Sequence, residues 1–178
     1  RKGSNILIVR AREVIQNTGA LNSFIFKAVL DHNLPNTWPE AVQYQVKSIP
    51  EKVEESETKG RIDLRNIPLV TIDGEDARDF DDAVFCKKED DKFHLIVAIA
   101  DVSYYVRSGS AIDNEALARC TSVYFPYYVI PMLPVELSNG ICSLNPNVDR
   151  LCMVCDMIIN QKGNIERYGF YPAVMKSH

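Results

Sequence analysis

At 178 residues, 46% hydrophobic and 25% charged, the chain is long enough for one well-cored domain with a flanking piece and too apolar for a disordered tail. Its net charge of −4 excludes the strongly basic surface that sequence-independent duplex binding uses, so any nucleic-acid contact has to be local or assisted by cations. No apolar run reaches the roughly 18 to 20 residues of a membrane span, and the longest, residues 123–135, is interrupted by Pro126, Pro131 and Pro134, so a soluble protein without a membrane partner is expected.

Beginning at Arg1 without Met or an apolar leader, the sequence reads as a piece of a longer protein. Residues 5–15 are rich in β-branched side chains and predict a strand. Leu21, Phe24, Ile25, Ala28 and Val29 follow helical spacing before Pro35, and a second helix is expected from Pro39, with Val42, Val46 and Ile49 on one face. Residues 51–59 carry mostly charge and predict a linker or a solvated helix. Strands are expected over residues 67–72, 83–86 and 93–102, the last two forming a hairpin across the turn 87–92. Ser110 and Asp113 have the pattern of a helix start, with Ile112, Ala116, Leu117 and Cys120 on one stripe and an end near Ser122. Further strands are expected over 129–133, 151–159 and 165–170, with Lys162, Gly163 and Asn164 turning between the last two. Strands and helices mixed without regular βαβ alternation predict an α+β fold, a mixed sheet with packed helices.

The five cysteines are an odd number scattered through hydrophobic stretches, which predicts reduced, buried thiols and a cytoplasmic setting. Cys152 and Cys155 have zinc-like spacing, but no second ligand pair accompanies them, and residues three apart on a strand point to opposite faces. His32, His94 and His178 are isolated, without a matched Ser or Cys nucleophile, and read as structural. A P-loop is absent from the sequence, so no nucleotide cofactor is expected.

The informative segment lies between the strands expected at 67–72 and 83–86, where six of the ten residues from Asp73 to Asp82 are acidic. Two carboxylates held about 4 Å apart repel by about 4 kcal/mol at an effective dielectric of 20, so converging acids need protons or a cation. With oxygen ligands alone, the run selects Mg²⁺ or Mn²⁺ over zinc. Asp73 is expected to close one strand and Asp82 to open the next, with Gly74 permitting the turn. Asp79 and Asp81 would share a side if extended, with Phe80 anchored in the core, so that Asp73, Asp79, Asp81 and Asp82 surround one cavity. Glu75, Asp76 and Arg78 read as solvent-facing or loop-pairing residues. Spacing excludes an EF-hand; a plain solvated acidic loop is the structural alternative. If a metal is held, oxygen-bound Mg²⁺ points to phosphodiester hydrolysis.

Residues 67–84, with Asp73, Asp79, Asp81 and Asp82 at their acidic centre, resemble the signature of the ribonuclease II/R (RNB) family, its ribonuclease R branch more than its ribonuclease II branch. Four further stretches agree in order: 97–106 with Asp101 and Tyr104, 121–126 with Tyr124, 130–134, and 137–146. The similarity covers about residues 60–178. It implies a magnesium-dependent, processive 3′-to-5′ exoribonuclease that acts on the 3′ end of single-stranded RNA and releases nucleoside 5′-monophosphates. It further implies that Asp73, Asp79, Asp81 and Asp82 are active-site, metal-holding aspartates, Asp81 being most closely tied to catalysis. Tyr124 falls where the family stacks a tyrosine on a base near the 3′ end, a grip that tolerates any sequence; core packing is its plain alternative. Capping and packing explain Asp101 and Tyr104 equally well.

By the same resemblance, residues 1–18 are the end of a cold-shock (OB) barrel, 19–66 a helical connector and charged linker, and 67–178 the N-terminal part of the catalytic domain. Arg1, Lys2, Arg10 and Arg12 would lie in that barrel, facing phosphate or simply solvated. The family's later arginine and a further RNA-packing aromatic fall beyond His178, so the isolated piece is expected to be weakly active or inactive. The alternative functions are a non-catalytic RNA-binding or interaction module and a DNA-directed metal nuclease, since no residue can be assigned to reading the 2′-OH.

Overall fold

The computed structural model describes residues 20–178. The strand expected over 5–15, the barrel end at 1–18, and Arg1, Lys2, Arg10 and Arg12 lie outside the described residues. The chain divides into two units, Arg1–Asn36 and Thr37–His178. In the first, helix α1 spans Ala20–Asp31, where helical spacing predicted it. Lys27 and Asp31 pair across one turn at 2.6 Å, and Leu34 N–H returns to the Val29 carbonyl at 2.9 Å.

The second unit is built on a five-stranded mixed sheet in the order β1-β7-β6-β3-β2. Its strands are β1 (Ile62–Asp63), β2 (Asp82–Glu89), β3 (Lys92–Ala100), β6 (Asp149–Asn160) and β7 (Ile165–Lys176). All neighbours are antiparallel except β1 and β7. The expected hairpin forms, but its turn is tighter than residues 87–92. Lys87, Lys88 and Glu89 stay in the ladder, and Asp90, at φ 53°, makes the reversal that a short polar side chain tolerates.

Alternation along the strands produces one buried face. Ala83, Ile96, Ala98, Cys152, Val154 and Ala173 lie on it, and Leu64, Leu69 and Leu144 close over them. A second cluster joins α2 (Glu40–Val46) to α4 (Ala111–Arg119) through Val42 and Ile112, with Leu137 and Ile141 from the π-type turn Glu136–Ile141. Ser110 caps α4 by accepting from Asp113 N–H at 3.2 Å, as its sequence predicted. The Gln45 side-chain oxygen of α2 accepts from Ile112 N–H at 3.0 Å. The charged stretch 51–59 contains a single 3₁₀ turn, Glu55–Thr58, closed by a Glu54–Glu57 capping box.

Several expectations are corrected. Residues 67–72 make one bridge, Val70 to Val84, instead of a strand; Pro68 has no N–H to donate, and Ile72 is 80% exposed. Helix α4 stops at Arg119 because Cys120 takes φ 65°, and of the proposed stripe Ile112 is buried while Leu117 is 75% exposed. Arg119 turns inward instead, stacking its guanidinium 3.6 Å over Trp38 and donating to the Thr37 carbonyl at 2.7 Å. The strand expected over 129–133 is β5 (Tyr128–Ile130), ended by Pro131 and paired only with β4 (Val123–Phe125). A short helix, α3 (Val102–Tyr105), follows β3 directly.

Candidate functional site

The acidic run bridges the Val70–Val84 contact and the start of β2. Asp73 therefore stands in a loop and closes no strand. Gly74 opens a turn in which Ala77 N–H meets its carbonyl at 3.0 Å. A Cβ on Gly74 would meet nothing within 4 Å, so the turn does not depend on glycine. Glu75, Asp76 and Arg78 are exposed.

From Arg78 onward the backbone is held tightly. The Ser143 hydroxyl donates to the Arg78 carbonyl at 2.9 Å and accepts from Phe80 N–H at 3.0 Å. Leu144 N–H reaches the Phe80 carbonyl, and Ala100 N–H the Asp81 carbonyl, each at 2.9 Å. Phe80 packs against the core of the sheet, which turns the flanking Asp79 and Asp81 away from it. Asp82 is the first residue of β2, opposite Ile99.

Charge couples these side chains. The Asp81 carboxyl is held above the ordinary carboxylate range, first by loss of water around it and then by the negative charges of Asp79, Asp82 and Asp73. The charges of the other three aspartates thus converge on Asp81. The donor set suits a hard divalent cation: all oxygen, negatively charged and self-repelling. Among the described residues, however, no three His, Cys, Asp or Glu side chains already enclose a metal position.

Tyr124 on β4 enters from the other side. Its hydroxyl donates to Asp79 Oδ2 at 3.0 Å, while the residue remains 65% exposed and lies outside the core of the described residues. That hydrogen bond, together with partial burial and the Asp79 charge, raises the phenol above its ordinary value, so the proton stays on it. Beside the pair lies a cavity of about 400 Å³ lined by Asp76, Arg78, Asp79, Tyr124, Ser138 and Asn139 among others. Of the four singled-out aspartates, Asp79 lines it.

The remaining candidates are structural. Asp101, 7% exposed, accepts from Arg61 at 2.7 Å and from the Ser103 hydroxyl at 2.9 Å, and Arg61 and Arg107 both lie about 5 Å from the Tyr104 ring. His94 Nε2 contacts Asp156 at 2.8 Å within the sheet. Cys152 is buried and Cys155 half-buried on the middle strand, without a metal group. Sequence reasoning missed Ser143, whose partners lie more than 60 residues away. Its only local signal is a small hydroxyl within the otherwise apolar stretch 141–144.

Residues 61–178 match the RNB domain. Ribonuclease R of Vibrio parahaemolyticus is 62% identical over 152 residues, covering 85% of this chain and 18% of that protein. Ribonuclease R of Escherichia coli is 61% identical over 152 residues, covering 85% and 19%. The chain therefore spans about a fifth of the length of these relatives. Among solved structures, Mycoplasma genitalium RNase R in complex with double-stranded RNA superposes with a TM-score of 0.85 at 35% identity, covering 93% of this chain and 30% of that one.

Proposed function

The chain belongs to the RNB-domain family, and from that premise we propose that it supplies the carboxylate-bearing part of an exoribonuclease that shortens single-stranded RNA from its 3′ end. The observation that carries this reading is the Tyr124–Asp79 hydrogen bond, which ties an exposed aromatic ring to the acidic run beside an open cavity. An exposed ring grips a base through its π-face without regard to sequence, and the double-stranded RNA held by the Mycoplasma relative supports RNA as the substrate class.

Asp73, Asp79, Asp81 and Asp82 would hold Mg²⁺, or Mn²⁺, which supplies activation of water and stabilisation of charge on the leaving oxygen. Water oxygen adds to the terminal phosphodiester phosphorus and the bond to the penultimate 3′ oxygen breaks. That oxygen takes up a proton, and a nucleoside 5′-monophosphate departs. Tyr124, kept protonated by Asp79, orients the terminal base, and Arg78 at the cavity rim offers a cation to the incoming phosphate. Processive cleavage would follow if the strand stays bound between steps, a retention that stacking on Tyr124 favours. All five cysteines are free, but Cys86 and Cys120 are exposed instead of buried as expected; unpaired thiols support a reducing, cytoplasmic setting, and no described helix is long and apolar enough to cross a membrane.

The test is an end-labelled RNA digest by the whole protein as the cell makes it, with Mg²⁺ and with EDTA, beside its Asp81→Asn variant. Monophosphate release with Mg²⁺ alone, lost in the variant while RNA binding persists, is expected. Cleavage unchanged by Asp81→Asn overturns the assignment. RNA retained equally with either additive and never shortened would make the chain a binding module.

A further inference from the structure

We infer that Ser143 is a positioning residue for the acidic loop, its one hydroxyl setting the orientation of Asp79 and, through the next peptide, of Asp81. This rests on the proposed joint action of the four aspartates on a cation and RNA.

The geometry is specific. Ser143 is fully buried and lies just beyond the π-type turn Glu136–Ile141. Its Oγ donates to the carbonyl of Arg78 at 2.9 Å and accepts from the N–H of Phe80 at 3.0 Å. Those two groups belong to the peptides on either side of Asp79, so a single side chain fixes both planes that meet at the Asp79 Cα. A methyl can supply neither bond, and a pure acceptor or donor only one of them. The segment that carries Ser143 is itself anchored, because buried Arg150 donates Nε to the Ser143 carbonyl at 2.7 Å and Leu144 N–H holds the Phe80 carbonyl at 2.9 Å. The clamp thus connects the sheet, through Arg150 at the start of β6, to the loop whose carboxylates must converge. Acids that repel one another are displaced easily once their backbone is released, and a displacement of about 1 Å at a reacting centre costs on the order of a hundredfold in rate.

The experiment compares Ser143→Ala, Ser143→Thr and Asp81→Asn in the whole protein. Two readouts are used: the Mg²⁺ concentration for half-maximal RNA cleavage, and amide hydrogen exchange without metal. Ser143→Ala is expected to raise the Mg²⁺ requirement and lower kcat by about tenfold or more, with KM for RNA little changed because the stacking face of Tyr124 is kept. Phe80 N–H should exchange at least tenfold faster, while amides of Ala83, Ile96 and Val154 keep their protection. Ser143→Thr, which retains the hydroxyl, should restore most of the wild-type Mg²⁺ requirement.

A merely structural serine would instead loosen exchange across the whole sheet and leave the Mg²⁺ requirement alone; that outcome overturns the inference. If Ser143→Ala does not fold, Ser143→Cys, with a weak donor of similar shape, carries the test. An intermediate Mg²⁺ requirement supports the inference and a wild-type one overturns it. Full cleavage by Asp81→Asn would sink the proposed function itself, whereas an inactive Asp81→Asn beside a wild-type Ser143→Ala sinks only the role of Ser143.

Discussion

Arg61 and Asp101 form an ion pair at 2.7 Å with 9% and 7% of their side chains exposed, joining the residue before β1 to the residue after β3. Arg61 also lies 5.1 Å from the Tyr104 ring and donates to the Cys152 carbonyl at 3.4 Å, so the pair spans three strands of the sheet. Removing one partner strands a charge out of water, which costs about 3 to 5 kcal/mol. Asp101→Ala should therefore lower the urea midpoint strongly, and Arg61→Met/Asp101→Leu should recover much of the loss. A double variant no better than the single one would show that the pair is not the source.

Tyr124 combines a stacking face with a hydroxyl on Asp79, and two substitutions separate them. Tyr124→Phe keeps the face and should leave RNA affinity within about threefold, because an exposed hydrogen bond contributes little net free energy. Tyr124→Ala removes the face and should weaken binding by about 1 to 3 kcal/mol, equally for A-, U- and C-tailed RNA. Fluorescence anisotropy with the three tails measures both. A loss confined to one tail would contradict sequence-blind stacking.

These contrasts indicate what a linear reading can reach. Helix α1, the β2–β3 hairpin and the Ser110 cap were legible because each is specified by residues within a few positions of one another. The acidic run could be singled out for the same reason, as the four aspartates fall within ten residues. The strand expected at 67–72 failed because its β-branched composition says nothing of how much partner edge is open, and one bridge to Val84 is what forms. Arg119 over Trp38, Arg61 on Asp101 and Ser143 under Phe80 join residues 40 to 81 positions apart, and no periodicity encodes such pairings. Tyr124 entered through family resemblance; its bond to Asp79, 45 positions away, is visible only in the fold.

Burial pushes the Cys142 and Cys152 thiols up to about 12, whereas Cys86 and Cys120 are exposed. At pH 8 a thiol of that pKa is ionised in about one molecule in ten thousand, so native alkylation should mark Cys86 and Cys120 and spare the buried pair. The linkage has a definite sign. Unfolded thiols titrate near their ordinary value of 9 and the native ones near 12, so above pH 9 the native state holds more protons. Stability is full below pH 9 and is lost as pH rises toward 12. Urea titrations across that window should show a shallower fall for Cys142→Ala than for wild type; equal slopes would refute the linkage.

The acidic run makes an opposed pair of predictions about Asp81. Without divalent ions its carboxyl faces loss of water and the charges of Asp79, Asp82 and Asp73, so Asp81→Asn removes a repulsion and should stabilise the metal-free chain. For a partly solvated cluster the gain is at most about 1 kcal/mol, or about 2 to 4 °C in Tm for a domain of this size. Added Mg²⁺ should reverse the ranking. An ion held by the intact set stabilises the native state by about 2.7 kcal/mol at a hundred times its Kd, and Asp81→Asn should forfeit most of that shift because a ligand charge has gone. Differential scanning calorimetry with EDTA and over a Mg²⁺ series, at matched ionic strength and pH 7.5, measures both halves. If the two curves stay parallel across the Mg²⁺ series, the carboxylates do not share a cation and the acidic run is a solvated loop.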